Sequence, residues 1–193
     1  MSEQHLELNP KKTALVLIDL QGAIVARDTA PYKAQEVIAR SRQLAEAVRR
    51  VGGTVVYVHV MMGDMPQRVT DVQRPSASGP MPPGATDIVP EAGMQKGDIL
   101  ITKRQWGAFH ATSLDQQLRR KGIDTIVLSG IATNMGVEST ARSAQEHDYQ
   151  IVFAEDAMTS VSAELHEFAV KKIFPMIGRV RTTEQILAAL KPS

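Results

Sequence analysis

Short apolar runs of β type alternate with segments of helical periodicity along nearly the whole chain, and this alternation most restricts the fold. The β-type runs are 13–19, 54–61, 98–102, 124–129, 150–154 and 177–181. Between them the spacing predicts helices near 33–51, 113–121, 135–147, 162–174 and 183–190. Strands that are apolar at consecutive positions are buried on both faces, as in a parallel sheet whose crossover helices cover it. Strand–helix alternation therefore predicts an α/β fold, a three-layer Rossmann-like domain with a mostly parallel six-stranded sheet flanked by helices. Val51-Gly52-Gly53 and Lys121-Gly122 each close a helix before the next strand begins.

A chain of 193 residues is the length of one domain with a substantial core, and residues 1–193 are read as a single domain with its core at about 11–190. Residues 62–97 interrupt the pattern. They hold six of the ten prolines and show no periodicity, so this segment is expected to form a lid and subunit-contact loop over the strand ends.

With 22 basic and 21 acidic side chains the net charge is +1, which argues against nucleic acid or an anionic membrane as partner. The Arg119-Arg120-Lys121 run falls at a helix end, where positive charge suits the macrodipole. No apolar run approaches the roughly 20 residues of a membrane span, and the N-terminus is polar, so a cytoplasmic protein is expected. The chain has no cysteine, so disulfides, thiolate zinc sites and thiolate nucleophiles are all excluded. The five histidines, His5, His59, His110, His147 and His166, lack ligand spacing, and neither metal nor cofactor is expected.

In an open parallel sheet, ligands bind beyond the carboxyl ends of the strands. Asp19 ends the first strand, Lys103 follows the third, and Gly136 lies just past the fourth at the start of a helix. Three distant positions thus converge on one rim. Taken singly each has a plainer reading: the acid as a helix cap, the lysine as a snorkelling surface residue, the glycine as a small residue in a first turn.

Three motifs carry a resemblance to the isochorismatase-like hydrolases. The stretch 129–142, Ser-Gly-Ile-Ala-Thr-Asn-Met-Gly-Val-Glu-Ser-Thr-Ala-Arg, resembles their nucleophile motif with Gly136 standing where most members have cysteine. The run Thr-Ala-Leu-Val-Leu-Ile-Asp-Leu at 13–20 resembles their first strand and its aspartate. Lys-Arg-Gln-Trp-Gly-Ala-Phe at 103–109 is similar to the element bearing their catalytic lysine. The resemblance spans about residues 11–190. It implies that Asp19 and Lys103 are catalytic, that the Ile131–Ala132 peptide bond is cis, and that the protein is a homodimer or homotetramer. Gln21, Arg104, Trp106, Phe109, Ile131, Ala132, Thr133 and Asn134 are the candidate substrate-binding residues. For Trp106 and Phe109 a place in the core is an equal alternative, and Thr133 or Asn134 could instead cap the following helix.

With backbone donors but no attacking atom, the Gly136 turn suits an anion or a water rather than a nucleophile. Members with glycine at this position cleave a vinyl ether and release pyruvate. By that resemblance Asp19 would be the general acid and Lys103 would position it. The segment Thr-Asn-Met-Gly-Val-Glu-Ser-Thr is, however, closer to the amidohydrolase-type motif. Hydrolysis of another small metabolite, or silent binding of a small ligand, remain the alternatives.

Overall fold

The computed structural model describes residues 6–65, 69–72 and 81–190. The strands are β1 (Thr13–Ile18), β2 (Thr54–Val60), β3 (Ile99–Lys103), β4 (Thr125–Ile131), β5 (Gln150–Thr159) and β6 (Arg179–Arg181). The helices are α1 (Gly22–Val25), α2 (Ala34–Arg50), α3 (Leu114–Arg120), α4 (Glu138–Glu146), α5 (Ala163–Phe168), α6 (Phe174–Ile177) and α7 (Thr183–Ala189). The six strands form one sheet in the order β3-β2-β1-β4-β5-β6, and every pairing is parallel. The expected α/β architecture is therefore present. The strand order reverses between β1 and β4, which opens a crevice at their carboxyl ends.

All six residues of β1 are buried, as a strand covered on both faces requires. Its side chains alternate between two cores. Ala14, Val16 and Ile18 join Leu114, Leu118, Val137, Ala141 and Phe174 on one face. Leu15 and Leu17 join Leu44, Val48 and Ile186 on the other. In α2 the apolar side follows from Val37, Ile38, Leu44, Ala45 and Val48, spaced so that they share one stripe. Each fully buried Val or Leu in that stripe contributes about 1.5–3 kcal/mol of transfer free energy. The helix stops at Val51, and Gly52 continues with φ 76°, a left-handed turn that glycine adopts without steric cost.

Three segments depart from expectation. The helix expected at 135–147 is a π-turn, Thr133–Val137, running into α4 at Glu138. The helix expected at 162–174 is α5, a second π-turn at Ala169–Ile173, and α6. The strand expected at 150–154 continues to Thr159 across a bulge, because Leu128 pairs with Phe153 whereas Gly130 pairs with Met158. The acids Glu155 and Asp156 interrupt its apolar pattern there. Asp156 is held by Thr183, whose N–H and hydroxyl both donate to Oδ1 at 2.7 and 2.8 Å.

Part of the proline-rich segment packs against the chain just past the carboxyl end of β1. Ala23 N–H donates to Ala85 O (2.9 Å), Gly22 N–H to Asp87 O (3.1 Å) and Val89 N–H to Leu20 O (3.0 Å). These bonds fasten residues 85–89 to the chain leaving β1. Residues 66–68 and 73–80 fall outside the described residues.

Candidate active site

β1 ends one residue earlier than the sequence suggests, and Asp19 has left-handed backbone with φ 54°. A non-glycine residue there is uncommon, although aspartate tolerates it better than most. Its N–H still reaches Val58 O at 2.9 Å, so the chain turns only after the last ladder bond. Gly130 makes room for that turn from the β4 side. It pairs with Ile18, has φ 120°, and a Cβ there would stand 2.1 Å from Ile18 O. Only glycine permits so close a backbone approach.

Lys103 is the last residue of β3, two strands away from β1, and its side chain crosses the end of β2. Only 1% of it is exposed. Its Nζ lies 2.9 Å from Asp19 Oδ2 and also donates to the carbonyl of Trp106. Burial raises the Asp19 carboxyl from 3.8 to about 6, and the Lys103 ammonium, followed by His59, opposes that rise without cancelling it. Asp19 Oδ1 is buried and has no hydrogen-bond partner. A buried polar atom without a partner is unusual and calls for a functional reason.

Gly136, in the π-turn after β4, completes the group. A Cβ built on it would lie 2.9 Å from Ile18 Cγ2, 3.0 Å from Asp19 Oδ2 and 3.1 Å from Lys103 Nζ. The turn thus presses its bare backbone against the acid–lysine pair. π-Turns inside helices recur at functional sites. Thr140 holds this one in place: its hydroxyl donates to Gly136 O (2.7 Å) and accepts from Ala108 N–H (3.1 Å), which joins the turn to the loop after Lys103.

The Ile131–Ala132 bond is cis, as the resemblance implies. Ile131 is buried and Ala132 partly so. Neither Thr133 nor Asn134 caps the helix. Thr133 Oγ1 is 2.9 Å from His166 Nδ1, and Asn134 Oδ1 accepts from Ser160 Oγ at 2.6 Å.

Other candidates are engaged elsewhere. Gln21 spends its amide on the Val60 backbone, accepting from N–H at 2.7 Å and donating to O at 3.0 Å, which clasps the ends of β1 and β2. Arg104 is exposed and pairs with Asp64 at 3.0 Å. Phe109 is a core residue stacked on His147, with ring centroids 5.1 Å apart. Trp106 is 42% exposed and meets the site through its carbonyl. Thr140, His166 and Ser160 escape sequence reasoning because each acts through a partner distant in sequence or through backbone. Among the described residues no group of three or more His, Cys, Asp or Glu side chains is placed to hold a metal ion, and no helix is long and apolar enough to cross a membrane. A cleft of about 260 Å³ lies at the opposite rim, at the amino ends of β2 and β3, lined by Arg49, Lys96, Asp98 and Lys121 among others. It is remote from the acid–lysine pair.

The sheet order, the switch-point crevice and a buried acid–lysine pair against a glycine turn define an α/β protein with a polar site at the carboxyl rim. Comparison with known proteins specifies the class further. Residues 13–185 match the isochorismatase domain, and the chain belongs to the isochorismatase family. It is 48% identical over 191 residues to the isochorismatase family protein YwoC of Bacillus subtilis, covering 96% of this chain and 98% of that one. An isochorismatase family protein from Burkholderia thailandensis superposes with a TM-score of 0.90 at 42% identity, over 97% of this chain and 99% of the other. The ureidoacrylate amidohydrolase RutB of Rhizobium rhizogenes is 30% identical, over 97% of this chain and 87% of its own length. The chain is thereby an isochorismatase-family hydrolase.

Proposed function

We propose that this protein hydrolyses a small metabolite by acid–base catalysis without a covalent intermediate, with Asp19 moving the proton and Lys103 holding the carboxyl in place. One observation carries the reading: Asp19 Oδ1 is buried and unpartnered while Oδ2 is anchored on Lys103. A carboxyl that titrates at about 6 is suited to giving and regaining a proton near neutral pH. Gly136 supplies no attacking atom, and the chain has no cysteine.

Cleavage of an enol-pyruvyl ether uses all of these features. Asp19 gives its proton to the methylene carbon of the enol, and the C=C electrons form that C–H bond. The positive charge falls on the ether carbon as an oxocarbenium ion. Water adds there and returns a proton to Asp19, and the hemiketal breaks to an alcohol and pyruvate. Lys103 lies beside the carboxylate that the first proton transfer creates and the second consumes. Favourable charge at that distance lowers the cost of forming it.

The test is incubation with isochorismate or a related enol-pyruvyl ether, with pyruvate followed by a coupled reduction. Pyruvate should form, added chelator should leave the rate unchanged, and Asp19→Asn should slow the reaction by about 10²-fold or more. No pyruvate above background would end the ether reading. The similarity to RutB favours a second reading, hydrolysis of a ureido or amide C–N bond by water activated at Asp19. Ammonia release from ureidoacrylate with no trappable acyl-enzyme would select it.

A further inference from the structure

The turn bearing Gly136 is fastened at two successive residues to the segment that follows β5. Asn134 takes the Ser160 hydroxyl, and Thr133 meets His166 on α5. Thr133 is fully buried and His166 is 3% exposed, so water does not compete for their bond, and a hydrogen bond so sheltered holds its geometry. The Tyr32 and His166 rings also meet edge to face, with centroids 5.8 Å apart at 89°, a second contact that restrains the imidazole. Burial lowers the His166 pKa below its ordinary value, so the ring is neutral at pH 7. It acts there as a hydrogen-bonding strut rather than a charge.

We propose that His166 is a positioning residue of the active site: through Thr133 it sets the glycine turn against the Asp19–Lys103 pair. Thr133 opens the turn and Gly136 lies within the same five residues. The Gly136 backbone stands so near Asp19 Oδ2 that a single added carbon would contact it at 3.0 Å. This turn is therefore part of what keeps water from the carboxyl. Loosening the Thr133 end lets water in and weakens the desolvation that raises the Asp19 carboxyl. The inference rests on the reading of Asp19 as the proton-moving group.

The experiment follows the Asp19 carboxyl by carbon-13 NMR titration in the full chain, comparing wild type with His166→Leu, Thr133→Val and His166→Asn. The leucine and valine variants each remove the hydrogen bond and keep bulk. The asparagine amide reaches where Nδ1 stood. The Asp19 midpoint should fall by about half a unit or more in the first two variants and return to wild type in the third. Thermal unfolding establishes that each variant is folded, and Thr133→Val carries the test alone should His166→Leu not fold. An unchanged midpoint in Thr133→Val, or an asparagine variant displaced as far as leucine, overturns the positioning role. A wild-type midpoint near the ordinary 3.8 instead overturns the proton-transfer reading, and so separates the two failures.

Discussion

Gly136→Ala adds one carbon at the most crowded point of the site. That carbon would meet Ile18 Cγ2 at 2.9 Å, Asp19 Oδ2 at 3.0 Å and Lys103 Nζ at 3.1 Å, each inside ordinary van der Waals contact. Ile18 is fully buried in β1 between β2 and β4 and cannot recede. The displacement therefore falls on the ion pair or on the turn itself. Overpacking of this kind costs about 1–3 kcal/mol, and alanine recovers about 1 kcal/mol over glycine in helical backbone. The net loss is roughly 0–2 kcal/mol, a fall in Tm of at most about 8 °C at some 2–4 °C per kcal/mol for a chain of this size. The effect on chemistry is larger, because a misplacement of about 1 Å at a reacting group costs on the order of 10²-fold. Calorimetry, the Asp19 carbon-13 titration and turnover are measured together on Gly136→Ala and on Gly63→Ala, a position with open space around its Cβ. The control should match wild type in all three. Wild-type turnover and an unmoved Asp19 midpoint in Gly136→Ala would refute the idea that the bare turn is fitted to the pair.

Three further outcomes are expected. The Asp19 pKa is raised on folding, so between 3.8 and about 6 the native state binds more protons than the unfolded state, and stability falls as pH rises through that window. The loss is on the order of 3 kcal/mol; urea unfolding across pH should show this slope in wild type and lack it in Asp19→Asn. Lys103→Met removes the cation that opposes desolvation, so the Asp19 midpoint should move above its wild-type value; NMR titration showing a lower midpoint would contradict the pairing. Gly136→Cys should place a thiol beside the Lys103 ammonium with an alkylation midpoint below the ordinary 8.5 or so, while carrying the same crowding penalty as alanine in its melting temperature.

The parts of this structure legible in sequence are those set by local period. Burial of β1 on both faces, the stripe of α2 and the glycine stop at Gly52 follow from residue type and spacing alone. Asp19 and Lys103 were legible because a parallel sheet sends strand ends to one rim, whatever the intervening sequence. Illegible were properties fixed by tertiary partners. Gln21 is adjacent in sequence to the site yet spends its amide on Val60, 39 residues away. Phe109 reads equally as pocket wall or core until His147 and Tyr149 are found against it. Neither π-turn has a periodic signature of its own, since five residues are too few to establish a period. The extension of β5 past Glu155 and Asp156 was hidden because acids end a β pattern unless something binds them, and Thr183 lies on another element.

The acid–lysine pair also bears on how a site of this design would work without a thiolate under the proposed acid–base reading. In water an ammonium 2.9 Å from a carboxyl holds it ionised; here desolvation outweighs that attraction, and the carboxyl titrates near 6. The lysine then has two effects of opposite use. It lowers the pKa from the higher value that burial alone would impose, and it fixes one carboxyl oxygen while the other is left without a partner. Were a charged nucleophile also present at position 136, within contact distance of both groups, its anion would compete for the same ammonium and push Asp19 further toward protonation. With glycine there, the ammonium serves Asp19 and the Trp106 carbonyl. Under the proposed reading, a single proton held by one oriented carboxyl is the mobile charge at the centre of the site, and the chemistry it would serve is proton transfer to carbon or to a leaving group followed by addition of water.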